Sequence, residues 1–333
     1  MASRSEGSRA TLAPLPNDIR VTVTPRPACP FLVGQHGSAD SAQVVPSRTY
    51  EAPVTTESSY DPASFKGMEH AGWEKNAASY DELFGSITRH AIGPLLDATA
   101  VHAGTTILDL CCGPGYGAAA AAARGARAIG IDFSQAMVRT AQGLHSDATF
   151  LQGDAEALDF ESESFDAVIC SFGVNHLLNP EKSLREANRV LRPGGRFAFS
   201  MWCAPGKSKF HQLVLDSIRA HGTMDIPLPP APPPFRFSDP STCVAELIAA
   251  GFNNPNVVEL PLAFRPRAAA GVLALTKCAV RLEMMIELQS VLARERIRQA
   301  IVEGAENFRT GALLEIPMPA VLASGAKRAH REN

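Results

Sequence analysis

Three aspartates stand where apolar runs end. Asp109 lies within Ile107-Leu-Asp-Leu-Cys-Cys-Gly-Pro-Gly-Tyr-Gly117, Asp132 follows the run at 128–131, and Asp154 follows Gly153 after the run at 149–152. Gly113 and Gly115 let the backbone turn sharply and let a ligand approach without meeting a Cβ. The helix expected after them presents an electropositive N-terminus. Gly113, Gly115 and Ala118 also satisfy the dinucleotide pattern G-x-G-x-x-G/A, so a nicotinamide dinucleotide is one ligand to weigh. Asp109 argues against it, because an acid just before the turn repels a pyrophosphate but suits an ammonium group. Asp132 suits both ribose hydroxyls of either kind of ligand. Asp154 and the adjoining Ala155 are placed to meet an adenine edge, the carboxylate accepting from the exocyclic amine. Together the three acids describe an adenosine with a cationic amino-acid tail and no phosphate. The competing view of each Asp taken alone is a turn residue or helix cap, with Asp132 and Ser134 simply starting a helix.

Such a site needs strands that all deliver their C-terminal ends to one edge. The runs at 106–110, 128–131, 149–152, 167–171 and 196–201 read as short strands, nearly continuous in apolar residues. Helical segments fall between them at 118–123, 134–143 and 181–191, the last stopped by Pro193, Gly194 and Gly195. Strand and helix alternating in this way imply a parallel sheet covered on both faces, an α/β doubly wound fold. Upstream, Leu83, Ile87, Ile92, Leu95 and Leu96 predict one or two helices over about 72–99, with Gly93-Pro94 as a break. Downstream, six prolines within 226–234 require an extended connection. A helix is expected from Ser238 or Asp239 to Ala250, a strand over 257–264, one or two amphipathic helices over 270–308, and a final strand over 315–323.

Residues 1–65 are rich in Ser, Thr, Pro and Ala without sustained period and read as a flexible N-terminal extension. Val21, Val23, Phe31, Leu32 and Val33 allow a short strand or docking segment there, and an organelle transit peptide is the lesser alternative. The domain is expected over 66–325, with inserts at about 203–238 and 266–310 and a frayed tail at 326–333. A net charge of −3, with no long basic run, argues against a general grip on nucleic acid. No apolar stretch is long enough to span a bilayer. The seven cysteines follow no zinc-ligand spacing and are expected as reduced thiols in a cytoplasmic protein, with no metal site.

The chain resembles the class I S-adenosylmethionine-dependent methyltransferases, and within them the small-molecule branch of ubiquinone, menaquinone and sterol methyltransferases. The matching residues are Leu108-Asp-Leu-Cys-Cys-Gly-Pro-Gly115, Gly130-Ile-Asp-Phe-Ser134, Gly153-Asp-Ala-Glu-Ala-Leu158, Phe165-Asp-Ala-Val168 and Arg189-Val-Leu-Arg-Pro-Gly-Gly195, five motifs in order over about 72–202. The resemblance implies a mostly parallel, Rossmann-like sheet of seven strands, the last antiparallel, with a helical substrate lid built from the two inserts. It implies S-adenosyl-L-methionine as cofactor. Gly113 and Gly115 would then line the methionine moiety, with Asp109 near its amino group. Asp132 would hold the ribose, Phe133 and Met137 would flank the adenine, Asp154 and Ala155 would meet its edge, and Ser171 would close the site. Trp73-Glu-Lys-Asn-Ala-Ala-Ser-Tyr80 looks like the helix that covers the cofactor, with Tyr80 as a contact.

Methyl transfer from a sulfonium is an in-line displacement that mainly requires alignment and exclusion of water. A general base is needed for a hydroxyl, acidic-carbon or ammonium acceptor, and a thiol or thioether needs none. His176, after the fourth strand, is the first candidate, against a purely packing role for it; His211 and His221 are weaker. Leu282, Met285, Ile286, Leu288, Val291 and Leu292 form one apolar side that suits a pocket wall, packing on the sheet, or a homodimer contact. Met224, Met284 and Met285 add an adaptable apolar surface, favouring a small, partly apolar substrate. The acceptor atom (O, N, C or S) stays open. So do three other functions: arsenite methylation, NAD-linked oxidoreduction, and cofactor binding without catalysis.

Overall fold

β1 (Thr106–Leu110) is buried at every position, and β4 (Phe165–Ser171) nearly so, which places these two strands at the centre of the molecule. In the computed structural model the described residues are 62–81 and 83–329, with side chains from Phe65 onward. The expectations for residues 1–61 therefore lie outside the described residues. β2 (Arg127–Asp132) and β3 (Thr149–Gln152) extend the sheet on one side of β1, all in parallel register. β5 (Leu191–Trp202) lies parallel to β4 on the other side. β6 (Phe252–Leu260) forms the far edge, and β7 (Ala320–Lys327) inserts between β5 and β6, antiparallel to both. The sheet thus has seven strands in the order β3-β2-β1-β4-β5-β7-β6. Short two-residue ladders pair Ala263–Phe264 with Ile316–Pro317 and Arg309–Thr310 with Leu313–Leu314. The expected doubly wound, mostly parallel sheet with an antiparallel last strand is what the chain forms, although that strand runs a few residues later than 315–323.

The order reverses between β1 and β4. Right-handed crossovers running outward from that point in opposite directions put their helices on opposite faces. α3 (Tyr116–Ala123) and α4 (Gln135–Leu144) cover one face with α2 (Gly85–Ala98), and α5 (Pro180–Val190) and α7 (Pro240–Ala249) cover the other. The switch point leaves a crevice at the strand C-termini, where open α/β sheets take their ligands. Local chemistry sets the helix starts. Ser134 caps α4 by accepting from Met137 N, Asp239 caps α7 by accepting from Thr242 N, and Pro180 occupies the first turn of α5.

Three expectations need correcting. The first helix, α1 (Pro62–Tyr80), starts ten residues before 72. Gly93-Pro94 does not break α2, which runs through it because Leu95 and Leu96 beyond the proline are fully buried and hold the turn in place. As a helical insert requires, 203–238 carries a helix, α6 (Lys209–His221), before the proline-rich stretch. The region 270–308 holds three helices, α8 (Ala270–Cys278), α9 (Val280–Glu287) and α10 (Val291–Glu306). Ser290 caps α10 through Ala293 N, and the break at 288–290 splits the expected apolar side: Ile286 is buried while Leu288, Val291 and Leu292 are exposed.

Candidate cofactor site

Gly113 and Gly115 both have positive φ, +51° and +87°, and they carry the chain from β1 into α3. A Cβ on Gly115 would sit 2.6 Å from the Phe150 ring, so this glycine is required for the turn to pack on β3. A Cβ on Gly113 would meet nothing within 4 Å, so space is open above that residue. Gly117 is tight for a different reason: its Cβ would lie 2.4 Å from Asp109 Oδ2.

Asp109 is 2% exposed. Its Oδ2 accepts from Ala118 N at 2.9 Å, at the start of α3, and its Oδ1 has no partner. Burial first, and the neighbouring Asp132 charge after it, push its carboxyl up to about 7. Asp132, at the end of β2, spreads its carboxylate over two backbone amides: Oδ2 accepts from Gly113 N and Oδ1 from Ser134 N, each at 2.9 Å. Burial pushes it up to about 6 despite those bonds. A carboxylate oxygen has two lone pairs, so each Asp132 oxygen keeps acceptor capacity after its amide is satisfied. The structure thus brings Asp109 and Asp132 into electrostatic contact beneath and beside the glycine turn.

Asp154 stands one strand further out and is bound elsewhere. Its Oδ1 accepts from Glu156 N and its Oδ2 pairs with Lys66 Nζ at 2.5 Å. Ala155 beside it is buried. Phe133 is half-buried, its ring 5.4 Å edge-on from His70. Met137 is buried in the first turn of α4. Ser171 is half-buried at the end of β4, in register with Ser200. Tyr80 ends α1 with its hydroxyl pushed up to about 12 by burial, its ring 5.8 Å edge-on to Trp73. His176 closes a short 3-10 turn after β4, and its Nδ1 lies 2.8 Å from Glu69 Oε2. Of the weaker histidines, His211 is buried, lies 2.6 Å from Ser208 Oγ and has its pKa pushed down to about 3 by burial, which suits packing.

The residues that sequence reasoning missed all come from α1. Lys66 reaches Asp154, His70 reaches Phe133, and Glu74 accepts from Ser134 Oγ at 2.8 Å and Ala136 N at 3.0 Å at the start of α4. These three recur every four residues and so share one helix face over the strand ends. On the next face Phe65, Glu69, Trp73 and Ala77 recur at the same spacing, and that stripe was the signal to find. Two further marks are Cys111 (φ +53°) and Phe172 (φ +57°), ending β1 and β4 in a backbone region unfavourable to side chains. Phe172 is held there by stacking on Trp202 at 4.1 Å. Strain of this kind costs on the order of 1–3 kcal/mol and gathers at ligand sites.

The donor set fits an adenosine with a cationic tail: buried carboxyls at the first two strand ends, open space at Gly113, and a third acid, Asp154, one strand further out. Residues 108–199 match the family described as "Methyltransferase domain". A demethylmenaquinone methyltransferase from Clavibacter sepedonicus is 39% identical over 128 residues, 38% of this chain and 49% of that protein. A 2-phytyl-1,4-naphtoquinone methyltransferase from Synechocystis sp. is 33% identical over 146 residues, 40% of this chain and 61% of that protein. The chain therefore spans about half the length of the curated relatives it matches. Among solved structures, phosphoethanolamine N-methyltransferase 2 of Haemonchus contortus, in complex with phosphomonomethylethanolamine and S-adenosylhomocysteine, superposes with a TM-score of 0.50 at 18% identity. It covers 80% of this chain and 60% of that one, a likeness of fold. Residues 108–199 accordingly match a methyltransferase domain, and they lie within a seven-stranded sheet that extends to Lys327.

Proposed function

We propose that this protein transfers a methyl group from S-adenosyl-L-methionine to a small, partly apolar acceptor. The observation that carries this reading is the pair of buried carboxyls, Asp109 and Asp132, at the glycine turn. Each is costly to ionise where it is buried, and a cationic tail and two ribose hydroxyls would repay that cost. A pyrophosphate would meet Asp109 with like charge, the match over 108–199 favours methyl transfer over the nicotinamide reading, and the relatives named as quinone methyltransferases favour an organic acceptor over arsenite.

In this reading Gly113 and Gly115 line the methionine moiety, and Asp109 faces its amino group through the first turn of α3. Asp132 holds the ribose, Phe133 and Met137 flank the adenine, and Asp154 and Ala155 take its edge. Ser171 and Tyr80 close the two ends of the site. When bound, the cofactor supplies a methyl already activated on a sulfonium. The chain's own work is alignment and exclusion of water, which α1 performs from above. For an acceptor that must lose a proton, His176 is the base. The segments at 203–238 and 266–310 form the acceptor's cover. The acceptor is a metabolite rather than a nucleic acid, and the setting is cytoplasmic. Among the described residues no helix is long and apolar enough to cross a membrane.

Calorimetry with S-adenosyl-L-methionine and with NAD tests the first part. Micromolar binding of the former and none of the latter is expected, and the reverse would end the proposal. Transfer of labelled methyl into a reduced 2-alkyl-1,4-naphthoquinone is the first acceptor to try, followed by a small-metabolite extract.

A further inference from the structure

Glu69 has no place in the cofactor-binding set, yet it is a charged residue only 3% exposed. Its Oε2 accepts from Trp73 Nε1 at 3.0 Å and lies 2.8 Å from His176 Nδ1. Trp73 also meets the His176 ring edge-on at 4.8 Å, so the imidazole is fixed on two sides by α1. A buried carboxylate is expensive unless donors surround it, and among the described residues Trp73 and His176 are the two that supply them to Glu69. An ionised carboxylate only accepts, so the nitrogen facing it must carry the proton. Nδ1 is therefore N–H, and Nε2 is the nitrogen left with a lone pair. Nε2 lies 3.3 Å from Asn175 Nδ2.

We infer that Glu69 is a positioning residue that holds His176 as a proton acceptor, and that seating α1 over the strand ends assembles the base. The inference rests on the proposed methyl transfer with His176 as base. An acceptor hydroxyl or acidic carbon gives its proton to Nε2. Its electron pair forms the bond to the methyl carbon while the methyl–sulfur bond breaks, that pair staying on sulfur. The imidazolium left behind is paired with the Glu69 carboxylate until its proton passes to water. Glu69 touches the ring from α1, and Asp132, at the end of β2, is coupled to His176 through charge.

The test compares Glu69→Gln, Glu69→Leu, His176→Ala and the Glu69→Gln/His176→Ala double variant in the full chain. The probes are S-adenosyl-L-methionine and a reduced 2-alkyl-1,4-naphthoquinone. Glu69→Gln keeps an acceptor oxygen and loses the charge. It should bind cofactor within about twofold of the parent, lose about 10- to 100-fold in kcat, and move the acidic limb of the kcat profile to lower pH. The double variant should be no slower than His176→Ala, because residues acting as a unit are not additive. Additive losses, or an unchanged kcat and pH profile in Glu69→Gln, would overturn the inference. A ¹⁵N NMR spectrum of the histidines separates this from the functional reading itself. The His176 proton should sit on Nδ1 in the parent and move toward Nε2 in Glu69→Leu, whether or not the probe is methylated. An Nε2–H tautomer in the parent would refute the positioning role outright. A correct tautomer with neither cofactor binding nor turnover would instead refute the methyltransferase reading on which the role depends.

Discussion

At the strand ends Asp132 grips the backbone amides of Gly113 and Ser134, and Asp109 grips that of Ala118. Over them α1 is fastened mostly by side chains: Lys66 to Asp154, Glu69 to His176, and Glu74 to Ser134 Oγ, with Glu74 also accepting from Ala136 N. The first arrangement is set by the turn itself, since moving either aspartate would strip buried amides of their acceptors, at about 1–3 kcal/mol each. In the second, Lys66, Asp154 and Glu74 are each about a third or more exposed and lose little on release into water, whereas Glu69 is buried and held. In the proposed reading the difference separates recognition, which the frame supplies, from enclosure, which the cover supplies.

The sharpest way to break that division is Asp132→Ala. Two hydrogen bonds from ribose hydroxyls to a buried charge amount to about 3 kcal/mol, or about 100-fold in cofactor affinity. Calorimetry should show a loss of that size, with a circular-dichroism spectrum like the parent's. Affinity within about threefold of the parent would remove Asp132 from recognition and leave it as a turn brace.

Asp109→Asn tests the frame from the other side, through pH. A carboxyl raised from its ordinary 3.8 to about 7 holds its proton in the folded state while the unfolded chain has already released it. Stability therefore falls as pH rises from about 4 to about 7 and levels off above, the slope following the protons bound by each state. Asparagine keeps an oxygen for Ala118 N and has nothing to ionise. The variant should match the parent near pH 4 and gain about 2 kcal/mol at pH 7, roughly half the full linkage value because a buried site relaxes. Urea denaturation at the two pH values reads this directly. Parallel pH profiles for the two proteins would show that the buried acid costs the fold nothing.

The frame was legible in the sequence because its constraints are local. A glycine at positive φ, an aspartate ending an apolar run, and an alanine-rich helix start leave their marks within a few residues, and the strands at 106–110 and 149–152 fall where their composition put them. The cover was not legible because its constraints are distant. Glu69 reads as a surface residue until His176, 107 positions away, is brought to it by the turn after β4. Phe65 and Ala77 are buried on one face of α1, but Glu69 and Asn76 on the same face break the apolar pattern, so the helix start was set too late. The apolar residues of α9 and α10 misled in the opposite direction. Their side is continuous in sequence, and only the Ser290 cap divides it.

The smallest expected effect lies at the seam between the two regions. Lys66 and Asp154 are 41% and 37% exposed, so their pair is worth about 0–1 kcal/mol. If Asp154 belongs to the adenine edge, the ligand must displace Lys66 from one carboxylate oxygen, and Lys66→Ala removes that competition. Cofactor should then bind up to about threefold tighter, the equivalent of roughly 0.6 kcal/mol. Raising the salt concentration should erase the gain, because screening weakens the exposed pair in the parent as well. Weaker binding in Lys66→Ala would reverse the assignment. It would mean that the lysine stays with the bound ligand, and that the recognition set reaches across the seam into α1.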